Sequence, residues 1–250
     1  MEAERGRDGH RLSLGEVNDI YLVNDVNLTD VTPPVKRRPT GRHHGDLRAA
    51  LERAALDLVA ERGPHGFSLN EASRRAGVSV AAPYKHFADR EALLASLAVA
   101  GYGQQRARFA AAVEAAASAA ERADRANGDA AAHGTDPADA LAAFADAYVR
   151  FAAQQPALFD VTFYAGLDKD RHPELAAAGD AVLATVLPAA RAVAADEQAA
   201  FDLLLRVAAA AHGLAVFLRQ GLFGVSGDVL DETADRAART ARAIVADLSR

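Results

Sequence analysis

Cysteine is absent from all 250 residues. That excludes a disulfide framework, a thiol nucleophile and any Cys-based metal site, and suits a reducing cytoplasm. No charge-free apolar run of about 18 residues appears, so no membrane partner is expected. The first thirty residues lack the apolar core of a signal peptide, and a cytoplasmic location follows as the expectation. No apolar-polar alternation of convincing length marks a strand. The motifs of common catalysis are missing too: there is no phosphate-binding Gly-rich loop and no Gly-x-Ser-x-Gly elbow, and acidic residues scatter over solvent faces. His43 and His44 are adjacent, a poor arrangement for a metal. No catalytic residue, metal or cofactor is therefore expected.

What is present is an apolar half and an uneven charge. Fifty per cent of the residues are hydrophobic and the mass is 26.2 kDa, enough for a small domain plus a medium one. The net charge of −6 argues against nucleic acid until its distribution is considered. Residues 36–90 carry 11 basic and 6 acidic side chains, residues 1–35 carry 3 and 7, and residues 91–250 carry 14 and 21. A basic module on an acidic body presents one face to phosphate and turns the rest away.

Residues 1–45 look like a disordered, basic arm, with Pro33-Pro34, the run Lys36-Arg37-Arg38, then Pro39, Gly41 and Arg42. From Asp46 the pattern is helical almost throughout. Leu47, Leu51, Ala54, Ala55, Leu58 and Val59 form one stripe that Gly63-Pro64 ends. A long helix is expected from Arg90 towards Ala120, bent around Gly101 and Gly103. Residues 127–136 read as a loop. Pro137 opens a helix whose face is Leu141, Phe144, Tyr148 and Phe151, Pro156 starts a short aromatic helix, and a further helix runs from Pro173 to about Ala195. Residues 197–222 and 228–249 make the last two.

Residues 68–90 carry the strongest signal. Ser68 and Glu71 form a capping box for a helix from Leu69 to about Ala76, Gly77 ends it, and Val78 plugs the turn. Ser79 is placed to cap a second helix bearing Val80, Ala81, Ala82, Tyr84, Lys85 and His86, with Phe87 returning to the core and Asp89 capping a third. This is the layout of a helix-turn-helix. Ala76-Gly77-Val78-Ser79, Tyr84-Lys85-His86-Phe87 and Arg90 resemble the N-terminal domain of the TetR/AcrR family of transcriptional regulators. With the run upstream to Asp46 the resemblance covers about forty-five residues. Pro83 departs from it, standing where the family usually has an aliphatic residue; proline tightens or shifts a helix start. More weakly, Tyr148-Val-Arg-Phe151, Pro156-Ala-Leu-Phe159 and Ala211-His212-Gly213 resemble the regulatory domain of the Trp-His-Gly subgroup, with Ala211 in place of the tryptophan.

The resemblance implies an all-α protein with a three-helix DNA-binding domain at residues 46–100 and a ligand-binding and dimerisation domain at 101–250. It implies phosphate contacts from Tyr84, His86 and Arg90, with Ser68 helped by its helix N-terminus. Ser79 and Val80 belong to the same reading surface. Lys85 is the candidate to read guanine, and Ala81 and Ala82 are small enough to approach thymine methyls. Arg42 and the arm either follow phosphates, enter a minor groove or remain a solvated tail. Phe144, Tyr148, Phe151, Phe159, Phe163, Tyr164 and His212 are candidates to line an effector pocket; the alternative is a plain core with a structural histidine. The expected partners are a palindromic DNA operator, a second copy of the chain and an apolar or aromatic small molecule that favours a DNA-incompatible spacing of the two heads. Leu203, Leu204, Val207, Ala211 and Leu214, with Ala237, Ala241, Ile244 and Leu248, are the apolar stripes expected on the two helices that pair with the mate. A purely architectural DNA binder and an all-helical enzyme are the alternatives.

Residues 1–34 carry a separate expectation. Val17-Asn18, Val23-Asn24 and Val26-Asn27 repeat a dipeptide whose codons can spell the palindrome GTTAAC, and three of the five asparagines fall in residues 17–27. Ala3 is the only alanine before Ala49. One reading is a mis-called start overlapping the operator, with translation beginning at Val35; the other is an ordinary disordered extension. Native N-terminal peptides and footprinting on the DNA encoding residues 15–30 distinguish them.

Overall fold

Eight α-helices and no strand make up the described part of the chain, which in the computed structural model comprises residues 44–127, 136–224 and 228–249. The operator-like repeats, the basic run and Arg42 lie outside the described residues, as does most of the expected 127–136 loop. Helix α1 (His44–Arg62) takes in the last two residues of the expected arm. It ends where Gly63 turns left-handed at φ +74°, its amide donating to the Val59 carbonyl at 2.8 Å. Helix α2 (Leu69–Arg75) begins with both halves of the capping box: Glu71 N donates to Ser68 Oγ at 3.2 Å and Ser68 N to Glu71 Oε2 at 2.9 Å.

Helix α3 (Arg90–Asn127) starts where Ala92 N donates to Asp89 Oδ1 at 2.8 Å, and its 38 residues run through Gly101 and Gly103 as one helix. Gly101 is required by a neighbour. A Cβ there would lie 2.7 Å from Thr162 Oγ1, so the absence of a side chain lets the two helices approach. Helices α4 (Pro137–Gln154), α5 (Pro156–Tyr164) and α6 (Pro173–Arg191) each open on proline, which needs no partner for the hydrogen it lacks. Asp136 caps α4 and Asp196 caps α7 (Glu197–Arg219). Helix α8 (Val229–Ala246) runs into a 3-10 turn at Asp247–Ser249.

Two apolar clusters hold these helices. Leu51, Leu58, Phe67, Phe87, Leu93 and Leu97 form the first, completed by Val161 of α5 and Leu175 of α6. Phe109, Leu141, Phe151, Phe159, Leu203 and Leu204 anchor the second, and Leu56 and Tyr102 pack against both. Each fully buried side chain of this size contributes about 1.5–3 kcal/mol. The N-terminal core thus borrows residues from the C-terminal half, and the described residues form one compact unit.

The stripes expected to meet a second copy are largely used inside the protomer. Leu203, Leu204, Val207 and Ala211 of α7, with Ala237 and Ala241 of α8, are all buried in the second core. Leu214 and Ile244 are half-buried against it, and only Leu248 of that set is exposed. The reason is geometric: a helix covered by α4 and α8 needs its widest apolar stripe on the inside. The outer face of α7 instead shows Phe201, Leu205 and Phe217, spaced at multiples of four residues. Helix α7 is also long and apolar enough to cross a membrane by length and composition, although its Leu203, Leu204, Val207, Ala211 and Ala215 sit in the protein core.

Candidate nucleic-acid interface and effector cavity

Pro83 decides the shape of the surface between α2 and α3. Its nitrogen carries no hydrogen, so it cannot send the α-helical bond to the Ser79 carbonyl, and its ring crowds that carbonyl. The Ser79 carbonyl accepts from Ala82 N at 3.0 Å instead, closing one tight turn. The Pro83 carbonyl then accepts from His86 N at 2.8 Å and Phe87 N at 2.9 Å, around a 3-10 turn at Pro83–Lys85. The second α-helix expected after Ser79 is therefore replaced by two successive turns. Pro83 and Phe87 are buried beneath them and fix them to the core.

Ser79, Val80, Ala81, Tyr84 and Lys85 are exposed, while Ala82 and His86 are half-buried. Tyr84 and Val80 are 57% and 48% exposed, more than a fold needing them for packing would leave open. Ser68 is exposed, but its hydroxyl is engaged with Glu71 on both sides. The Arg90 guanidinium is partly buried, donating to the Pro64 carbonyl at 2.5 Å and lying over the Phe67 ring. Arg90 thereby ties α3 to the turn after α1.

Residues 44–90 hold seven basic and six acidic side chains, so most of the excess positive charge belongs to Lys36, Arg37, Arg38 and Arg42. Arg48 pairs with Glu52, Arg62 with Glu71 and Arg75 with Glu61. The Ser68 amide, then the Ser68 hydroxyl and Arg62, hold the Glu71 carboxyl below its ordinary range; the Arg75 bond does the same for Glu61. Arg53, Arg74 and Lys85 have no ionic partner among the described residues. Arg74 was not among the sequence candidates. Its signal was its place in the last turn of α2, just before Gly77.

A cavity of about 290 Å³ opens between α3, α4, α6 and α7. Phe109, Phe144, Tyr148, Val182, Val186 and Leu204 form its apolar inner wall. Tyr102 and Gln105 of α3 line it as well, and Lys169, Ala176, Gly179 and Asp180 also border it. Of the seven rings expected at a pocket, Phe144, Tyr148 and Phe163 line this one. Phe151 and Phe159 are instead buried in the core, and Tyr164 is exposed. His212 lies behind the wall, its Nδ1 2.9 Å from the Tyr148 hydroxyl and its ring stacked on Phe159 at 5.3 Å. Burial lowers the His212 pKa and raises that of Tyr148 far above its ordinary value, so at neutral pH the two form an uncharged hydrogen-bonded pair. The residues that sequence reasoning missed, Tyr102, Gln105 and Lys169, lie outside the aromatic segment on which it concentrated.

The loop joining α5 to α6 touches both regions. Lys169 borders the cavity, and two residues later Arg171 pairs with Glu91 and with Asp89 at 3.3 Å, at the first turn of α3. His172 adds an Nε2 contact 3.6 Å from Glu91. At the end of α5, the Tyr164 carbonyl lies 3.0 Å from His65 Nε2.

Known proteins share both halves of this arrangement. Residues 52–97 match the model for bacterial regulatory proteins of the tetR family, and residues 141–241 match the tetracyclin repressor-like C-terminal domain. A solved protein of unknown function from Rhodococcus sp. RHA1 is 30% identical over 82% of this chain and 98% of its own, with a TM-score of 0.58. The chain belongs to the TetR family. It is a DNA-binding transcriptional regulator. The TetR regulator PfmR from Thermus thermophilus shares the fold at 19% identity, covering 78% of this chain and 97% of that one, with a TM-score of 0.55. A tetR-family protein from Rhodococcus RHA1 does so at 20% identity, 80% and 96% coverage and a TM-score of 0.53. No curated protein matches the chain.

Proposed function

We propose that this TetR-family regulator is a homodimeric repressor released from a palindromic operator by a small, largely apolar effector. One observation carries the effector reading: the loop that borders the cavity through Lys169 also grips Asp89 and Glu91 through Arg171, immediately after the exposed strip of the head. An occupant that shifts this loop thereby changes the seating of the head, and linkage requires that such a ligand bind the DNA-free form more tightly. Residues 46–100 serve as the head and 101–250 as the body in this reading, and Ala211-His212-Gly213 supports placement in the Trp-His-Gly subgroup.

On DNA, Tyr84, His86 and the Ser68 end of α2 contact phosphates, Lys85 reads guanine, and Val80, Ala81 and Ala82 meet thymine methyls, with Ser79 at the edge. Arg42 and the neighbouring arm add electrostatic attraction. Arg90 supports the head through Pro64 as well as facing phosphate. Selection from random duplexes, followed by binding to the recovered and scrambled sites, tests this. Lys85→Ala should relax preference at particular bases, whereas Tyr84→Phe should weaken all sites alike. Equal affinity for the selected and scrambled duplexes would favour an architectural DNA binder over a sequence-specific regulator.

A further inference from the structure

Gln105 is the buried polar residue of the cavity wall. Only 2% of its surface is exposed, and its amide nitrogen has no hydrogen-bond partner among the described residues. An amide kept out of water without a partner destabilises the fold, whereas a leucine of similar size at this position would not. Gln105 borders the cavity beside Phe109 and Tyr148, with apolar Val182, Val186 and Leu204 on the facing helices. No cationic side chain lines that inner wall. The two charged lining residues, Lys169 and Asp180, are both exposed and opposite in sign.

We propose that the effector is a neutral, largely apolar molecule whose carbonyl or ether oxygen accepts a hydrogen bond from the Gln105 amide. This deepens the effector reading above and rests on it. A buried carboxylate is disfavoured because Gln105 offers a dipole and no charge, so an ionised head would enter an apolar wall uncompensated. An all-carbon ligand is disfavoured for the reverse reason, since it would leave the amide unpaired. At a packing density of about 0.75, the 290 Å³ cavity accommodates on the order of a dozen non-hydrogen atoms. Gly179 bears on access: a Cβ there would rest 3.8 Å from the Tyr102 ring, so a larger side chain closes the space beside it.

Matched probes separate the possibilities. Benzophenone and diphenylmethane share two rings and differ at one centre, a carbonyl against a methylene; decanoate supplies an ionised head on an apolar chain. Calorimetric titration of the full-length protein should show benzophenone binding about tenfold more tightly than diphenylmethane and more tightly than decanoate. Gln105→Leu should erase the difference between the two ring compounds, and Gly179→Leu should abolish binding of both. The ligand-free Gln105→Leu protein should also melt at a higher temperature than wild type, a readout independent of any ligand. Equal binding of benzophenone and diphenylmethane, both blocked by Gly179→Leu, would overturn the Gln105 assignment and leave the cavity reading intact. Tighter binding of decanoate would likewise overturn the neutral-ligand assignment. Failure of all three to bind, or binding indifferent to Gly179→Leu, would overturn the cavity reading itself.

Discussion

Tyr148 faces two ways: its ring forms part of the cavity wall while its hydroxyl meets His212 at 2.9 Å. Burial depresses the His212 pKa, so the folded protein resists a proton that the unfolded chain accepts near its ordinary value of about 6.5. Above that pH neither state is charged there and the neutral pair is intact. As pH falls through 6.5 and towards the lowered folded value, the unfolded state binds the extra proton and stability is progressively lost. His212→Gln should flatten this dependence between pH 7 and 5, measured as the denaturant midpoint relative to wild type at each pH. Parallel curves would mean that His212 carries no such linkage. The importance of this pair was half legible in the sequence, because an apolar helix with one histidine predicts a satisfied ring but not its partner. Gln105 was hidden by its neighbours. It sits in a polar stretch, Gln104-Gln105-Arg106, and only its spacing from Ala98, Tyr102 and Phe109 places it on the buried side of α3.

At the scale of elements, proline had opposite effects in different places. Pro137, Pro156 and Pro173 each open a helix, and the expected starts agree with the observed ones because a missing donor costs nothing at a first position. Pro83 falls where an α-helix would already need that donor, and the recognition segment becomes turns. Pro83→Leu restores the hydrogen and should let a helix form from Ser79 onward. Leucine adds a carbon at a buried position and loosens the unfolded chain, so stability should fall by about 1–3 kcal/mol, while affinity for the wild-type operator should fall about tenfold as the exposed strip is re-aimed. Denaturation and fluorescence anisotropy on one labelled operator measure the two. Unchanged affinity would show that the turn geometry is not what the operator fits. The helices themselves were legible because capping residues, glycines and apolar spacing agreed, as at Ser68, Gly63 and Asp136. Which stripe of α7 turns inward was not, since both of its sides are apolar and only the packing of α4 and α8 distinguishes them.

For the whole molecule, the outer face of α7 offers the proposed dimer an apolar contact surface. Phe201, Leu205 and Phe217 are 37%, 44% and 44% exposed, and Gly213, on the same i, i+4 ridge, has open space where a Cβ would be. A twofold axis beside Leu205 would bring that side chain near its own copy while its neighbours meet in reciprocal pairs, and the small residue would allow close helix approach. In the proposed dimer, the acidic body and the weakly basic head make the second head important for DNA binding. With seven basic and six acidic residues over 44–90, one head and its arm supply few phosphate contacts, and two heads double them. Leu205→Arg should therefore do three things together. It should leave the helical content and thermal unfolding of the protomer nearly unchanged, because Leu205 is outside both cores. It should convert the protein to a monomer in sedimentation, through two like charges meeting at the axis. It should weaken operator binding and roughly halve the slope of log affinity against log salt, since that slope counts the phosphates neutralised together. A stable Leu205→Arg dimer that binds the operator with the wild-type salt slope would place the dimer contact on some face other than this ridge.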